Sequence, residues 1–190
     1  MADRLAVSFA SAADFEEWLG REHSQSDGIW LKIAKKDSGV PSVSYAEALD
    51  VALCFGWIDG QKAAHDGTYW LQRFTPRKAR SRWSKINTGH AERLIESGRM
   101  QPAGLAEVER AKADGRWDAA YEPQRTATVP QDLQAALDAD PSAKEFFATL
   151  DSRNRYAILH RLGATKTPSA RAARIEKYVT MLHEHKVIYP

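Results

Sequence analysis

Strand signals in this chain stop early, and that limits what it can fold into. Leu5, Val7 and Phe9 alternate with smaller or polar neighbours, and Ile29, Leu31 and Ile33 alternate with Trp30 and Lys32, as half-buried strands do. Trp57–Lys62 and Thr68–Phe74 then flank Asp66-Gly67, a dipeptide suited to a tight hairpin turn, although aromatics on both faces of the second run leave its register open. Beyond residue 130 the spacing changes to threes and fours: Leu133, Ala136 and Leu137; Ala143, Phe146, Phe147 and Leu150; Tyr156, Ile158, Leu159 and Leu162; Ile175, Val179 and Leu182. Strands followed by helices predict an α+β chain, with a small antiparallel sheet and packed helices over 1–122 and a small helical module over 131–190. Between them, 123–130 has two prolines, two threonines and little apolar content, and reads as a linker.

Helix boundaries are written locally. Ser11 with Asp14 and Ser44 with Glu47 have the reciprocal spacing of a capping box. Gly56, Gly98, Gly115 and Gly163 are placed to stop helices; Pro102, Asp140-Pro141 and Thr167-Pro168 are placed to open them. Ser84 and Ser152 are expected as further caps, and Leu105 and Val108 as the inward face of the helix after Pro102.

Several function classes are excluded or disfavoured. The longest apolar run, Val51–Phe55, is far short of the roughly 20 residues of a membrane span. Acids stand where a secretory signal needs its apolar core, so a cytoplasmic location is expected. Cys54 is the only cysteine and sits in that apolar run, where a thiol behaves as a small hydrophobe. Phosphate-loop, dinucleotide, zinc-helix and nucleophile-elbow signatures are missing, and the six histidines are scattered, so no cofactor, metal or catalytic residue is assigned.

Charge is more informative than its total of +2. Successive nets are −5 over 1–66, +6 over 67–85, −5 over 86–151 and +6 over 152–190. The block from Arg73 through Arg77, Lys78, Arg80 and Arg82 to Lys85 contains no acid, so attraction to anions follows. Trp83 could pack or stack beside a bound group, and a helix starting near Ser84 would add backbone N–H groups around Asn87. Asp59 and Lys62, three apart on the hairpin, suit an ion pair or a supporting role near the same site. In the last helix Arg171, Arg174 and Lys177 or Tyr178 lie away from the apolar stripe, where they could meet nucleic acid, an acidic membrane or a protein.

Three strings in the first part, SYAEALDVALCFGWIDGQ (44–61), FTPRKARSRWSKIN (74–87) and GRMQPAGLAEVERAKADGRW (98–117), and TPSARAARIEKYVTMLHE (167–184) in the last part, are distinctive. Together they make nearly the whole chain resemble the bacterial YdeI/OmpD-associated, or bacteriocin-protection, family. The resemblance places that family's recurrent positions on Asp50, Gly56, Trp57, Asp59, Gly60, Pro76, Arg77, Ser81, Trp83, Ser84, Lys85 and Asn87. It implies a link to envelope stress and antimicrobial-peptide resistance, without a reaction or cofactor.

The expected function is an accessory stress or resistance protein that binds nucleic acid, an anionic ligand or an acidic protein surface. Its site would comprise Lys62, Arg73, Arg77, Arg80, Arg82, Trp83, Lys85 and Asn87, supported by Trp57 and Asp59. One alternative is an enzyme acting on a small anionic substrate in a cleft between Trp57, Asp59 and Arg77–Asn87. Another is an oligomeric structural or interaction module, for which a contiguous patch of exposed tryptophans would speak.

Overall fold

The structure, a computed structural model, describes residues 6–190. The chain divides into two compact units, Met1–Ala120 and Tyr121–Pro190.

In the first unit the order is β1 (Ala6–Ser8), α1 (Ala12–Glu22), β2 (Ile29–Ala34), α2 (Tyr45–Cys54), β3 (Trp57–Ala64), β4 (Tyr69–Pro76), α3 (Lys85–Glu96) and α4 (Pro102–Ala113). Leu5 of the first expected strand lies outside the described residues. Both capping boxes form: Ser11 Oγ accepts from Asp14 N and Asp14 Oδ2 from Ser11 N, and Ser44 and Glu47 repeat the exchange at α2.

The four strands lie in the order β1-β2-β4-β3. The sheet is mixed rather than wholly antiparallel: β1 runs parallel to β2, because α1 carries the chain back between them, while β4 pairs antiparallel with both β2 and β3. Asp66 shapes the hairpin turn, its Oδ1 accepting from Thr68 N and Tyr69 N.

The register opposes Ile29 to Phe74, Leu31 to Gln72 and Ile33 to Trp70. Ile29, Leu31, Ile33 and Phe74 join Phe15, Leu19, Val51, Leu53 and Trp57 in the first core. Gln72 is also buried, and it faces a bulge of β3 between Asp59 and Lys62. Its Nε2 donates to the carbonyls of Gly60 and Gln61, so the extra residue's backbone is satisfied from the facing strand.

Helix α4 turns Gly104, Val108 and Ala111 inward; Leu105, expected inside, is 38% exposed. Gly104 determines that rotation, because a glycine permits the closest approach to the end of α2.

The second unit contains α5 (Gln131–Asp138), α6 (Pro141–Thr149), α7 (Ser152–Leu162) and α8 (Pro168–His183). Leu133, Leu137, Phe147, Ile158, Leu162, Ile175, Tyr178 and Leu182 form its core, and Ala127 and Val129 pack against it. The cap of α7 is Asp151 rather than Ser152, with the Asp151 carboxylate accepting from Asn154 N at 2.7 Å. A carboxylate one residue earlier both reaches the third amide and complements the helix N-terminus. Among the described residues no helix is long and apolar enough to cross a membrane.

Candidate anion-binding loop

Strand β4 ends at Pro76 opposite Trp57, and Arg77 N donates to Gly56 O at 3.0 Å as the chain leaves the sheet. Gly56 has φ +72°, a conformation in which a side chain would be strained, and this lets α2 turn directly into β3. The basic loop therefore starts against the core.

Its cations then separate by direction. Arg77 is 6% exposed, and its guanidinium carbon lies 3.5 Å from the centroid of the Trp83 ring, itself 2% exposed. Nη1 of Arg77 donates to the carbonyl of Arg82 at 3.3 Å. From the other side Arg116, ion-paired with Asp114, donates through Nη1 to the carbonyl of Ser81 at 2.9 Å. Lys78 N donates to Ser81 Oγ and Ser81 N to Lys78 O, closing a small turn. Two inward guanidinium groups thus hold consecutive carbonyls from below, and Lys78 and Arg80 project outward. Neither Lys78 nor Arg80 forms an ion pair among the described residues.

The remaining expected site residues are placed as follows. Arg82 is half-buried, and Lys85 is exposed at the first position of α3. Asn87 N donates to Ser84 Oγ, so Ser84 caps α3 as expected and uses one of its leading amides. Arg73 Nη2 donates to Asp27 O at 3.2 Å. Lys62 lies over the Trp70 ring at 4.3 Å; it pairs with Gln72, four residues and therefore about 13 Å along the strand from Pro76. Asp59 accepts a hydrogen bond from the Tyr45 hydroxyl at 2.8 Å. Trp57 is 1% exposed, donates from Nε1 to His23 O and meets Trp18 edge to face. Lys78, Arg80 and Arg82 thus lie on the loop and Lys85 at the start of α3, whereas Lys62 and Arg73 lie on β3 and β4.

Three features carried no local signal. Arg116 braces a loop 35 residues earlier. Asp50 on α2 receives His90 Nδ1 at 2.7 Å and Arg93 Nη2 at 2.8 and 2.9 Å from α3. Arg93 and His90 share a helix face by spacing, but their acid lies 40 and more residues away. In α8, Arg171 is bound to Asp132 and to the carbonyl of Leu162, Arg174 donates to the carbonyl of Arg161, and Tyr178 is buried. The basic face expected there is largely engaged within its own unit.

Burial by itself would raise the Asp50 carboxyl, but the hydrogen bonds from His90 and Arg93 outweigh it and hold the group below its ordinary 3.8. A depressed folded value contributes stability above the unfolded value, and that stability is lost as pH falls through the folded one. Asp50→Asn should therefore cost about 1–2 kcal/mol at pH 7. The gap between variant and parent should narrow as pH falls below the ordinary 3.8 toward the depressed folded value, read by urea midpoints. A gap independent of pH would remove the carboxylate from the account. By contrast, burial pushes the Cys54 thiol up to about 11, so it is protonated at neutral pH and acts in packing.

Comparison with known families separates the two units. Residues 7–107, just over half of the chain, match a family described as Domain of unknown function (DUF8412). The chain belongs to that family. Residues 126–185 match a second one, described as Bacteriocin-protection, YdeI or OmpD-Associated. The resemblance to the YdeI/OmpD-associated family is thus corrected from nearly the whole chain to this C-terminal stretch; the strings at 44–61 and 74–87 fall inside the DUF8412 match. The physical basis is that each unit has its own core, so a resemblance carried by one does not extend to the other. No curated protein and no solved structure matched the chain.

Proposed function

We propose that this DUF8412 protein is an accessory, bacteriocin-protection type of protein whose first unit engages a polyanion through the loop from Lys78 to Lys85. The observation that carries this is the braced turn: Arg77 and Arg116 hold its carbonyls inward while Lys78 and Arg80 project from a stretch, 67–85, that contains no acid. A loop fixed in this way presents its charge at little further ordering cost, which favours binding.

Aromatic stacking has no part in the proposal. The Trp83 ring is covered by Arg77, and Lys62 lies over Trp70. Recognition would then rest on backbone charge, as in the binding of duplex nucleic acid by phosphate contacts. A small-substrate cleft is less well supported, since Trp57, Arg77 and Trp83 are buried in packing. The six tryptophans are all buried or half-buried, so they supply no exposed patch for assembly.

Affinity for duplex DNA measured between about 50 and 200 mM salt tests the proposal. The parent should weaken steeply as salt rises, and Lys78→Ala with Arg80→Ala should lower the slope of log affinity against log salt by about 2. Binding that is flat in salt, or unchanged in the double variant, would reject the loop as the contact.

A further inference from the structure

The second unit contains a different cationic site. A cavity of about 310 Å³ is lined by Gln124, Arg153, Tyr156, His160, Arg161 and Tyr189, among others. Arg153, Tyr156 and His160, with Arg161 beside it, fall three and four apart on α7 and so share one face of the helix. Tyr189 closes the opposite side. It is held by Asn154, 5% exposed, whose Nδ2 donates to Tyr189 O at 3.0 Å and whose Oδ1 accepts from the amides of Ile188 and Tyr189. Three hydrogen bonds to one buried amide side chain make this wall a fixed part of the fold.

The cations are arranged around that wall. The Arg153 guanidinium lies 4.2 Å from the Tyr189 ring centroid and that of Arg161 lies 5.5 Å away, with Arg161 Nη2 donating to the phenol oxygen at 3.2 Å. No carboxylate lines the cavity, and neither arginine forms an ion pair with an acid among the described residues. The other rings are also fixed: Tyr156 donates its hydroxyl to Glu122 O, and His160 meets Tyr121 edge to face. Two permanent cations in one concavity repel each other, and an anion between them would relieve that repulsion. The volume is at the lower end of small-molecule sites, about 300–1,000 Å³, which suits a compact ligand and not a polymer.

We propose that this cavity binds a small ring-bearing oxyanion, a phosphate monoester or a carboxylate. Arg153 and Arg161 would grip the oxyanion through their planar forks, and Tyr156 and His160 would line the ring. Every residue lining the cavity belongs to the second unit, and none is shared with the loop in the first.

Calorimetric titration of the full chain with phenyl phosphate, benzoate and phenol tests it. Phenyl phosphate or benzoate should saturate, the tighter of the two naming the headgroup, and phenol should not. Arg153→Ala and Arg161→Ala should each weaken binding about tenfold or more. Arg161→Lys, which keeps the charge but not the fork, should fall between Arg161→Ala and the parent. Should Arg161→Ala fail to fold, the exposed Arg153 still gives the answer. The proposal is overturned if neither oxyanion saturates on the parent, if phenol binds as well as they do, or if Arg153→Ala binds like the parent.

Discussion

Gly104→Ala is expected to destabilise the first unit by about 2–3 kcal/mol, although alanine is the better helix former by about 1 kcal/mol. A Cβ at this position would stand 2.7 Å from the carbonyl oxygen of Leu53 and closer still to that of Cys54, with Met100 Sδ at 2.5 Å. The sulfur can move, but the two carbonyls belong to the last turn of α2 and cannot rotate away. Relief requires α4 to retreat, which would also strain the hydrogen bond from Gln101 N to Cys54 O at 3.1 Å. Thermal unfolding should show a Tm lower by on the order of 10 °C. A variant as stable as the parent, or more so, would mean that α4 does not sit on α2 in this way. The sign is diagnostic, because the same substitution in an exposed helix stabilises.

Arg77→Ala should cost about 3 kcal/mol, and Arg77→Met should restore a large part of it. Alanine leaves a space against Trp83 and deprives the Arg82 carbonyl of its donor. Methionine refills the volume without the charge, and replacing a buried charge by an apolar group of similar size is often tolerated. The binding experiment then separates two roles. If Arg77 supports the loop without touching the anion, the Arg77→Met protein keeps its salt slope and loses affinity only as far as the missing bond to the Arg82 carbonyl loosens the loop, whereas Lys78→Ala with Arg80→Ala lowers the affinity further and the slope by about 2. A stable Arg77→Met protein that binds as poorly as that double variant would move Arg77 from support to contact.

The basic block was legible as composition, because six cations without an acid can be counted over 67–85. Which of them point outward was not. Arg77 and Arg80 are the same residue type three positions apart, and what distinguishes them is the Trp83 ring, which folding brings against the first and not the second. Arg116 likewise becomes a brace only when the turn after α4 brings it to the carbonyl of Ser81. The cavity in the second unit was half legible: α7 displays its spacing of Arg153, Tyr156 and His160, but the wall at Tyr189 depends on hydrogen bonds to Asn154 across 34 and 35 residues.

What the sequence determined by itself is what physics acting within about four residues can determine. The capping boxes at Ser11 and Ser44, the Asp66-Gly67 turn and the change from period two to period three and a half needed no partner from elsewhere. Tertiary structure decided the rest: the parallel pairing of β1 with β2, Gln72 placed against a bulge, the inward turn of Gly104 in place of Leu105, and the clasp of His90 and Arg93 on Asp50. Each depends on groups far apart in the chain, and whether a polar side chain is buried or exposed depends on which surface forms beside it.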